Sequence, residues 1–121
     1  MISVRQAPGK GRGVFAQKQF AQDELIERAP VIILPTQQEQ FLDQTVLKDY
    51  YYHWDDTTSA LALGFGSLYN HSYTPNARYV RKQAEAIMEF TALRVIEVDE
   101  EITVNYNGDP ADQDPLWFHV I

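Results

Sequence analysis

The chain has 121 residues, of which 45% are hydrophobic, and it contains no cysteine. This size fits one domain with its own core, and the hydrophobic share argues against disorder. The lack of cysteine excludes disulfides and thiolate zinc sites and is compatible with a cytosolic location. A formal net charge of −7 disfavours broad nucleic-acid binding, which requires a basic face, and suits a basic partner. No apolar run reaches membrane-spanning length, and the N-terminus lacks a signal-peptide pattern.

Alternating apolar and polar side chains predict short strands along the first third of the chain. Residues 2–6 and 13–16 form two such runs, with a turn between them. Residues 25–28 and 31–34 are also typical of strands. Pro30 predicts a strand edge or a break between these two runs, because proline cannot donate a hydrogen bond to a β-ladder.

The middle of the chain carries the one predicted helix, and strands return after it. Apolar residues at helical spacing predict that helix over residues 37–49. In the second half, the alternation typical of strands recurs at residues 77–81, 86–90, 93–98 and 102–106. The sequence therefore predicts a mainly β fold of many short strands with little helix.

An aromatic run, Tyr50-Tyr51-Tyr52-His53-Trp54, follows the predicted helix. Most of these rings are expected in the core, because aromatic side chains bury large apolar areas. Aromatic walls would also suit a narrow tunnel for an alkyl-ammonium chain, since rings contact the methylenes and attract the cation. The residues alone leave both interpretations open.

Residues 60–77 hold the polar side chains that we single out for chemistry. Gly64-Phe65-Gly66 permits left-handed backbone and close approach by another group. A polar cluster follows directly: Asn70, His71, Ser72 and Asn76. Because these residue types are also common in turns and caps, this segment alone gives roughly even odds between a pocket and an ordinary loop.

Two further segments shift that balance towards a functional site. Lys10-Gly11-Arg12-Gly13-Val14-Phe15-Ala16 precedes the polar cluster, and Asp99-Glu100-Glu101-Ile102-Thr103-Val104-Asn105-Tyr106 follows it. With residues 66–77 between them, these blocks resemble, in the same order, those of the SET-domain protein lysine methyltransferases. The resemblance spans residues 2–106. The chain resembles in particular the minimal stand-alone, viral-type SET proteins, which share the A-L-G-F-G entry and the P-N-A-R exit of the central segment.

The resemblance implies a SET-domain fold of several small sheets, with the C-terminal segment threaded through an earlier loop as a pseudoknot. It also implies S-adenosyl-L-methionine as the methyl donor, no metal, and a lysine of a basic protein as the acceptor. Tyr106 would be catalytic with help from Tyr69, and Tyr50 would join Tyr106 in contacting the substrate. The residues implied in donor binding mainly through the backbone are Lys10, Gly11, Arg12, Gly13 and His71. Asn70 would offer its side-chain amide to the methionine portion or to a neighbouring backbone group, and Trp117 would pack on the adenine.

The resemblance further implies a single SET domain over residues 1–121. Its parts would be N-terminal strands in 1–35, a variable insert in 36–56, a C-terminal core in 57–106 and a tail over the donor site in 107–121.

From Glu97 onwards there are seven acids and no Lys or Arg. This bias favours either a solvated surface or carboxylates that steer a Lys/Arg-rich peptide.

The expected substrate is a histone-like tail or another basic chromosomal or ribosomal protein, in the cytoplasm or at the chromosome. The alternative is a non-catalytic module that binds S-adenosyl-L-methionine or a basic peptide. A small β scaffold without donor affinity is a third interpretation. A chain of this size would gain walls for its substrate groove from a second copy, so a homodimer is a further hypothesis.

Overall fold

The computed structural model describes residues 1–118 and Val120, and within that part the chain forms short strands with little helix. The strands are β1 (Ile2–Ala7), β2 (Gly11–Ala16), β3 (Leu25–Pro35), β4 (Tyr51–Asp55), β5 (Thr58–Ala62), β6 (Asn70–His71), β7 (Ala77–Lys82), β8 (Ile87–Ala92) and β9 (Glu101–Val104). The helical pieces are α1 (Glu39–Leu42) and three 3-10 turns, at Thr36–Gln38, Val46–Asp49 and Gln83–Glu85. The predicted mainly β fold is confirmed.

The strands are arranged in two sheets. One has the order β1-β2-β9-β6, in which β1 and β2 form an antiparallel hairpin and β6 runs parallel to β9. The other has the order β4-β5-β3-β8-β7, with every pair antiparallel. The first sheet therefore joins an N-terminal hairpin, a central segment and a late strand.

Pro30 does not break β3, contrary to the sequence prediction. The strand pairs with β8 as far as Pro30 and with β5 from Val31 onwards. Pro30 thus lies where β3 changes its partner, a position that tolerates a residue without an N–H. Its carbonyl still accepts a hydrogen bond from Leu63 N at 2.9 Å.

The predicted helix over residues 37–49 is wrong in extent, because only α1 is helical in the α sense. Thr45 ends the continuous path: its hydroxyl donates to the Leu42 carbonyl and accepts from Leu47 N. Such local side-chain bonds compete with helix continuation. Phe41 and Val46 are 62% and 78% exposed, so the apolar positions that suggested a helix meet no core.

Residues 93–98 also differ from the prediction, since they form no strand. Ile96 makes one isolated bridge to Phe20, and the following turn has Asp99 in the left-handed region at φ 69°. The Glu100 carboxylate accepts from Glu97 N and from Arg94 in the same turn. This segment is therefore an ordered turn leading into β9.

The Gly64-Phe65-Gly66 step is held against β3 and carries the chain into β6. Glu27 accepts hydrogen bonds from Phe65 N at 2.9 Å and from the Tyr69 hydroxyl at 2.8 Å. Gly64 has φ +60°, and at Gly66 a Cβ would lie only 2.6 Å from the Ala62 Cβ. The prediction of left-handed backbone and close packing at these glycines is confirmed.

The segment after β9 folds back onto the loop that follows β6. Asn105 Nδ2 donates to the Asp112 carbonyl at 2.6 Å, and Asn107 Nδ2 donates to the Asp114 carbonyl at 2.9 Å. The Tyr73 hydroxyl donates to the same Asp114 carbonyl at 3.0 Å. These contacts place the tail beside Tyr106. Within the described part of the chain, no helix has the length and apolar character needed to cross a bilayer.

Candidate active site

The parallel pairing of β6 with β9 brings the two sequence blocks of the site together. Asn70 is paired with Thr103 and His71 with Val104, so Tyr106 lies two residues beyond the last pair. Asn76 binds β9 next to this pairing: its Oδ1 accepts from Thr103 N, and its Nδ2 donates to the Glu101 carbonyl. The predicted meeting of the Asn-His segment with the final tyrosine is thus present in the structure.

Three hydrogen bonds fix Tyr106. Its N–H donates to His71 Nδ1 at 2.9 Å, and its carbonyl accepts from the Tyr79 hydroxyl at 3.3 Å. Its own hydroxyl donates to the Tyr69 carbonyl at 2.5 Å. Burial raises the pKa of Tyr106, and the nearby Tyr50 and Glu101 add to that shift. The side chain is therefore a neutral, oriented phenol at neutral pH.

His71 is a buried, neutral imidazole that positions Tyr106. Since its Nδ1 accepts from the Tyr106 N–H, the ring proton is on Nε2. Nε2 is buried and has no hydrogen-bond partner among the described residues. Burial, and secondarily the charge of Lys10, lower the pKa of His71 below the usual 6.5. Its position does not require it to act as a general base.

Acid should destabilise the protein through His71. Below about pH 6.5 this histidine takes up a proton in the unfolded chain, whereas the native imidazole stays neutral to a lower pH. The free energy of unfolding therefore decreases as the pH falls below about 6.5. Denaturant unfolding at pH 7.5 and pH 5.5 should show a larger decrease for the wild type than for His71→Gln. An equal decrease in both proteins would contradict this origin.

A cavity of about 550 Å³ opens beside Tyr106 and has mainly aromatic walls. Tyr52 and Tyr79 meet edge-on at 5.1 Å between ring centroids, and the Tyr52 hydroxyl donates to the Gly66 carbonyl. The charged side chains around it are Asp43, Lys48, Asp49 and Arg81, and the remaining lining residues are Tyr50, Tyr51, His53, Ser67, Tyr106 and Trp117. An opening of this kind can accept a long side chain with a cationic or amine end.

The tyrosines singled out in the sequence take different positions. Tyr50 lines the cavity with Tyr106, and its contact with the substrate stays a prediction. Tyr69 is fully buried, and its ring stacks on Phe90 at 4.3 Å while its hydroxyl binds Glu27. What Tyr69 presents to Tyr106 is its backbone carbonyl. Its predicted assisting role is therefore open to a main-chain atom, not to the phenol.

Two tail aromatics flank Tyr106 from different directions. Trp117 stacks on the Tyr106 ring at 6.0 Å, and its Nε1 donates to Asp49 at 3.2 Å. Phe118 lies edge-on to His71 at 6.3 Å and to Tyr106 at 6.1 Å. Trp117 thus belongs to the cavity wall, whereas Phe118 is the tail ring nearer the Asn70-His71 side. The prediction that Trp117 packs on the adenine stays a prediction.

Trp117→Ala and Phe118→Ala should separate these positions. Trp117→Ala removes an aromatic wall from the cavity and should raise the KM for a lysine peptide roughly fivefold, the size of a partly exposed cation–π contact. Phe118→Ala should instead weaken binding of S-adenosyl-L-homocysteine. Steady-state kinetics with varied peptide and calorimetry with the nucleoside distinguish the two effects. The opposite pattern would assign the adenine to Trp117.

The glycine-containing segment at residues 10–13 is packed against Asn70 and β9. Asn70 Nδ2 donates to the Arg12 carbonyl at 2.9 Å and to Glu101 Oε2 at 2.7 Å. A Cβ at Gly13 would overlap that Glu101 oxygen and lie 2.8 Å from Asn70 Nδ2. Gly11, at φ +76°, faces open space instead. The close approach expected at Gly13 is therefore made by protein side chains.

Comparison with known proteins assigns this arrangement to a family. The SET domain family matches residues 11–107. A histone-lysine N-methyltransferase of Schizosaccharomyces pombe, specific for lysine 37 of histone H3, is 34% identical over 118 residues, covering 97% of this chain and 76% of that protein. The chain belongs to the SET-domain protein lysine methyltransferases.

Solved structures agree with this SET-domain assignment. A crystal structure of a Plasmodium falciparum protein, described as a candidate histone methyltransferase, matches with a TM-score of 0.70 and 27% identity, over 90% of this chain and 99% of that one. A chain of the ctPRC2 complex matches with a TM-score of 0.76 over 88% of this chain and 14% of its own length. At 16% identity the second likeness shows the fold alone.

The polar atoms around residues 10–13 and Asn70-His71 would fit S-adenosyl-L-methionine, the donor that the resemblance implies. Lys10 provides a cation, and Asn70 Oδ1 accepts no hydrogen bond from a described residue and is not enclosed. His71 Nε2 is a buried donor without an acceptor, which a polar ligand beside it would supply. Among the residues that the structure describes, no three His, Asp or Glu side chains are grouped as metal ligands.

Sequence reasoning missed three residues that organise this SET domain. Glu27 anchors Tyr69 and the glycine step, Glu101 binds Asn70, and Tyr79 holds the Tyr106 carbonyl. Glu101 lies in the third of the sequence blocks, where the sequence alone does not distinguish it from the neighbouring acids Asp99 and Glu100. Glu27 and Tyr79 lie in strands with ordinary alternation, so no local signal distinguishes them from structural residues.

Proposed function

We propose that the protein transfers a methyl group from S-adenosyl-L-methionine to the Nζ atom of a lysine in a basic protein segment such as a histone-like tail. The observation that carries the proposal is the aromatic cavity beside Tyr106. The backbone N–H of Tyr106 donates to His71, which lies in the segment implied in methyl-donor binding. The relatives named as histone methyltransferases support the substrate class.

Tyr106 would orient the lysine amine. Because its hydroxyl proton is directed to the Tyr69 carbonyl, its oxygen lone pairs remain available to accept from an amine N–H. Such a contact turns the nitrogen lone pair away from the phenol and towards the donor. Bound S-adenosyl-L-methionine supplies an already activated methyl group, so the protein has mainly to position the amine and exclude water.

The environment of the cavity favours the uncharged amine that the reaction needs. Burial disfavours an ammonium ion, and the charged side chains around the cavity, Lys48 and Arg81 with Asp43 and Asp49, are balanced in sign, so desolvation carries this effect. The aromatic rings contact the methylenes of the lysine, which aligns it along the cavity. The hydroxyl of Tyr106 stays protonated because its pKa is raised, so it is not the base. We propose that water accepts the proton.

A transfer assay tests the proposal. The protein is incubated with labelled S-adenosyl-L-methionine and histones or ribosomal proteins, and the products are analysed by mass spectrometry for methyl-lysine. Methylation of a lysine in a basic segment is the expected result. Calorimetry with S-adenosyl-L-homocysteine is run alongside. Tight binding without transfer to any of these proteins would favour the non-catalytic module, and absence of binding would overturn donor use altogether.

The basic character of the substrate is supported by charge. The chain has a formal net charge of −7, and the tail beside the cavity carries Asp109, Asp112 and Asp114. Peptides with Lys or Arg around the target should therefore have lower KM values than peptides with acidic flanks, and the difference should shrink at high salt.

We propose in addition that the protein forms a homodimer. The insert before β4 leaves Phe41 and Val46 exposed on a small chain whose cavity lies beside that insert. Large exposed apolar side chains in proximity favour association. Light scattering at high protein concentration tests this proposal, and a monomeric mass would overturn it.

A further inference from the structure

The Glu101 carboxylate contacts two residues of the proposed donor site, Asn70 and Lys10. Oε2 accepts from Asn70 Nδ2 at 2.7 Å, and Oε1 lies 3.4 Å from Lys10 Nζ. Its side chain is only 18% exposed, so these contacts are better shielded from solvent than a surface ion pair. One carboxylate therefore links the glycine-containing segment, β6 and the start of β9.

These contacts fix which way the Asn70 amide faces. Both hydrogens of Nδ2 are used, one by the Arg12 carbonyl and one by Glu101 Oε2. Two acceptors on that side require the NH₂ group there, so Oδ1 points the other way. No donor among the described residues reaches Oδ1, and it is accessible. The result is a free acceptor at a fixed position beside residues 10–13.

We infer that Glu101 is a positioning residue for the amino-acid end of the methyl donor. It holds Asn70 so that Oδ1 can accept from the α-ammonium group. The same carboxylate holds Lys10, whose remaining ammonium hydrogens have no acceptor among the described residues and can donate to the α-carboxylate. This inference rests on the proposed use of S-adenosyl-L-methionine, and it explains why position 13 has no side chain: the Glu101–Asn70 contact occupies that space.

Binding of two nucleosides to the intact chain tests the inference. S-adenosyl-L-homocysteine carries the amino-acid group, and 5′-methylthioadenosine lacks it. Calorimetry should show that Glu101→Ala weakens S-adenosyl-L-homocysteine roughly 30-fold and Glu101→Gln roughly fivefold, because glutamine can still accept from Asn70. Affinity for 5′-methylthioadenosine should change less than about twofold. Glu97→Gln is the matched control, since Glu97 binds Gln19 on the surface, and it should alter neither affinity.

Each result has a defined meaning. Equal losses for both nucleosides would make Glu101 a merely structural residue and overturn the inference, as would unchanged affinity for S-adenosyl-L-homocysteine. Thermal unfolding checks that each variant is folded. If Glu101→Ala is not, the nearly isosteric Glu101→Gln decides by the same comparison. If the wild type binds neither nucleoside, the proposed function fails, and this assignment fails with it.

Discussion

Tyr106→Phe should reduce kcat for methyl transfer at least about 100-fold, the range expected when a positioned polar group at the reacting atom is lost. The variant loses the hydroxyl that donates to the Tyr69 carbonyl and faces the cavity, while the ring remains to stack on Trp117. The Tyr106 N–H still donates to His71. Affinity for S-adenosyl-L-homocysteine should therefore change little.

Single-turnover kinetics and calorimetry separate these two quantities. Tyr73→Phe is a suitable control, because its hydroxyl binds the Asp114 carbonyl outside the cavity. Loss of this one hydrogen bond should leave kcat within about threefold of the wild-type value. If Tyr106→Phe retains wild-type kcat, the phenol is not needed to orient the amine, and its proposed role is overturned.

Gly13→Ala should lower the free energy of unfolding by about 2–3 kcal/mol, as overpacking of a filled site does. The backbone of Gly13 is not in the left-handed region, so the cost is steric: the new methyl would overlap Glu101 Oε2 and press on Asn70. Donor affinity should fall as well, because both partners must move. Denaturant unfolding and calorimetry with S-adenosyl-L-homocysteine measure the two effects.

Gly11→Ala provides the contrasting control. Its Cβ would meet no atom within 4 Å, but φ is +76°, so its cost is backbone strain of about 1–2 kcal/mol without displacement of Asn70. In a double-mutant cycle, Glu101→Ala should relieve part of the Gly13→Ala penalty and none of the Gly11→Ala penalty. Strict additivity of Gly13→Ala with Glu101→Ala would show that the two positions do not compete for space.

The sequence predicted which segments meet around Tyr106 better than it predicted the framework that holds them. The blocks around Lys10, Asn70 and Tyr106 carry residue types with few alternatives, and the structure brings them together as expected. The Tyr69 phenol shows where this reasoning ends. A tyrosine next to a site residue cannot be assigned to the cavity or the core without knowing the facing strand, and here Glu27 on β3 binds its hydroxyl.

The errors in the predicted framework arise because a local sequence pattern does not show which surface or strand the segment packs against. The periodicity over residues 37–49 resembled a helix, but a helix needs a surface on which to bury its apolar face, and Phe41 and Val46 find none. Pro30 correctly marked an irregularity. The irregularity is a change of partner, from β8 to β5, within one continuous strand β3. Both partners lie far along the chain, so the sequence around Pro30 does not show it.

The position of β9 between β2 and β6 also determines when the enzyme can begin to work during its synthesis. Lys10 and Glu101 are 91 positions apart, so the contact that joins the glycine-containing segment to β9 is among the most nonlocal in the described part of the chain. A nascent chain that has completed the β1–β2 hairpin and the β3-containing sheet still exposes the edge of β2. Until β9 leaves the ribosome, that edge is open to mispairing, and chaperone protection would be most useful in this interval.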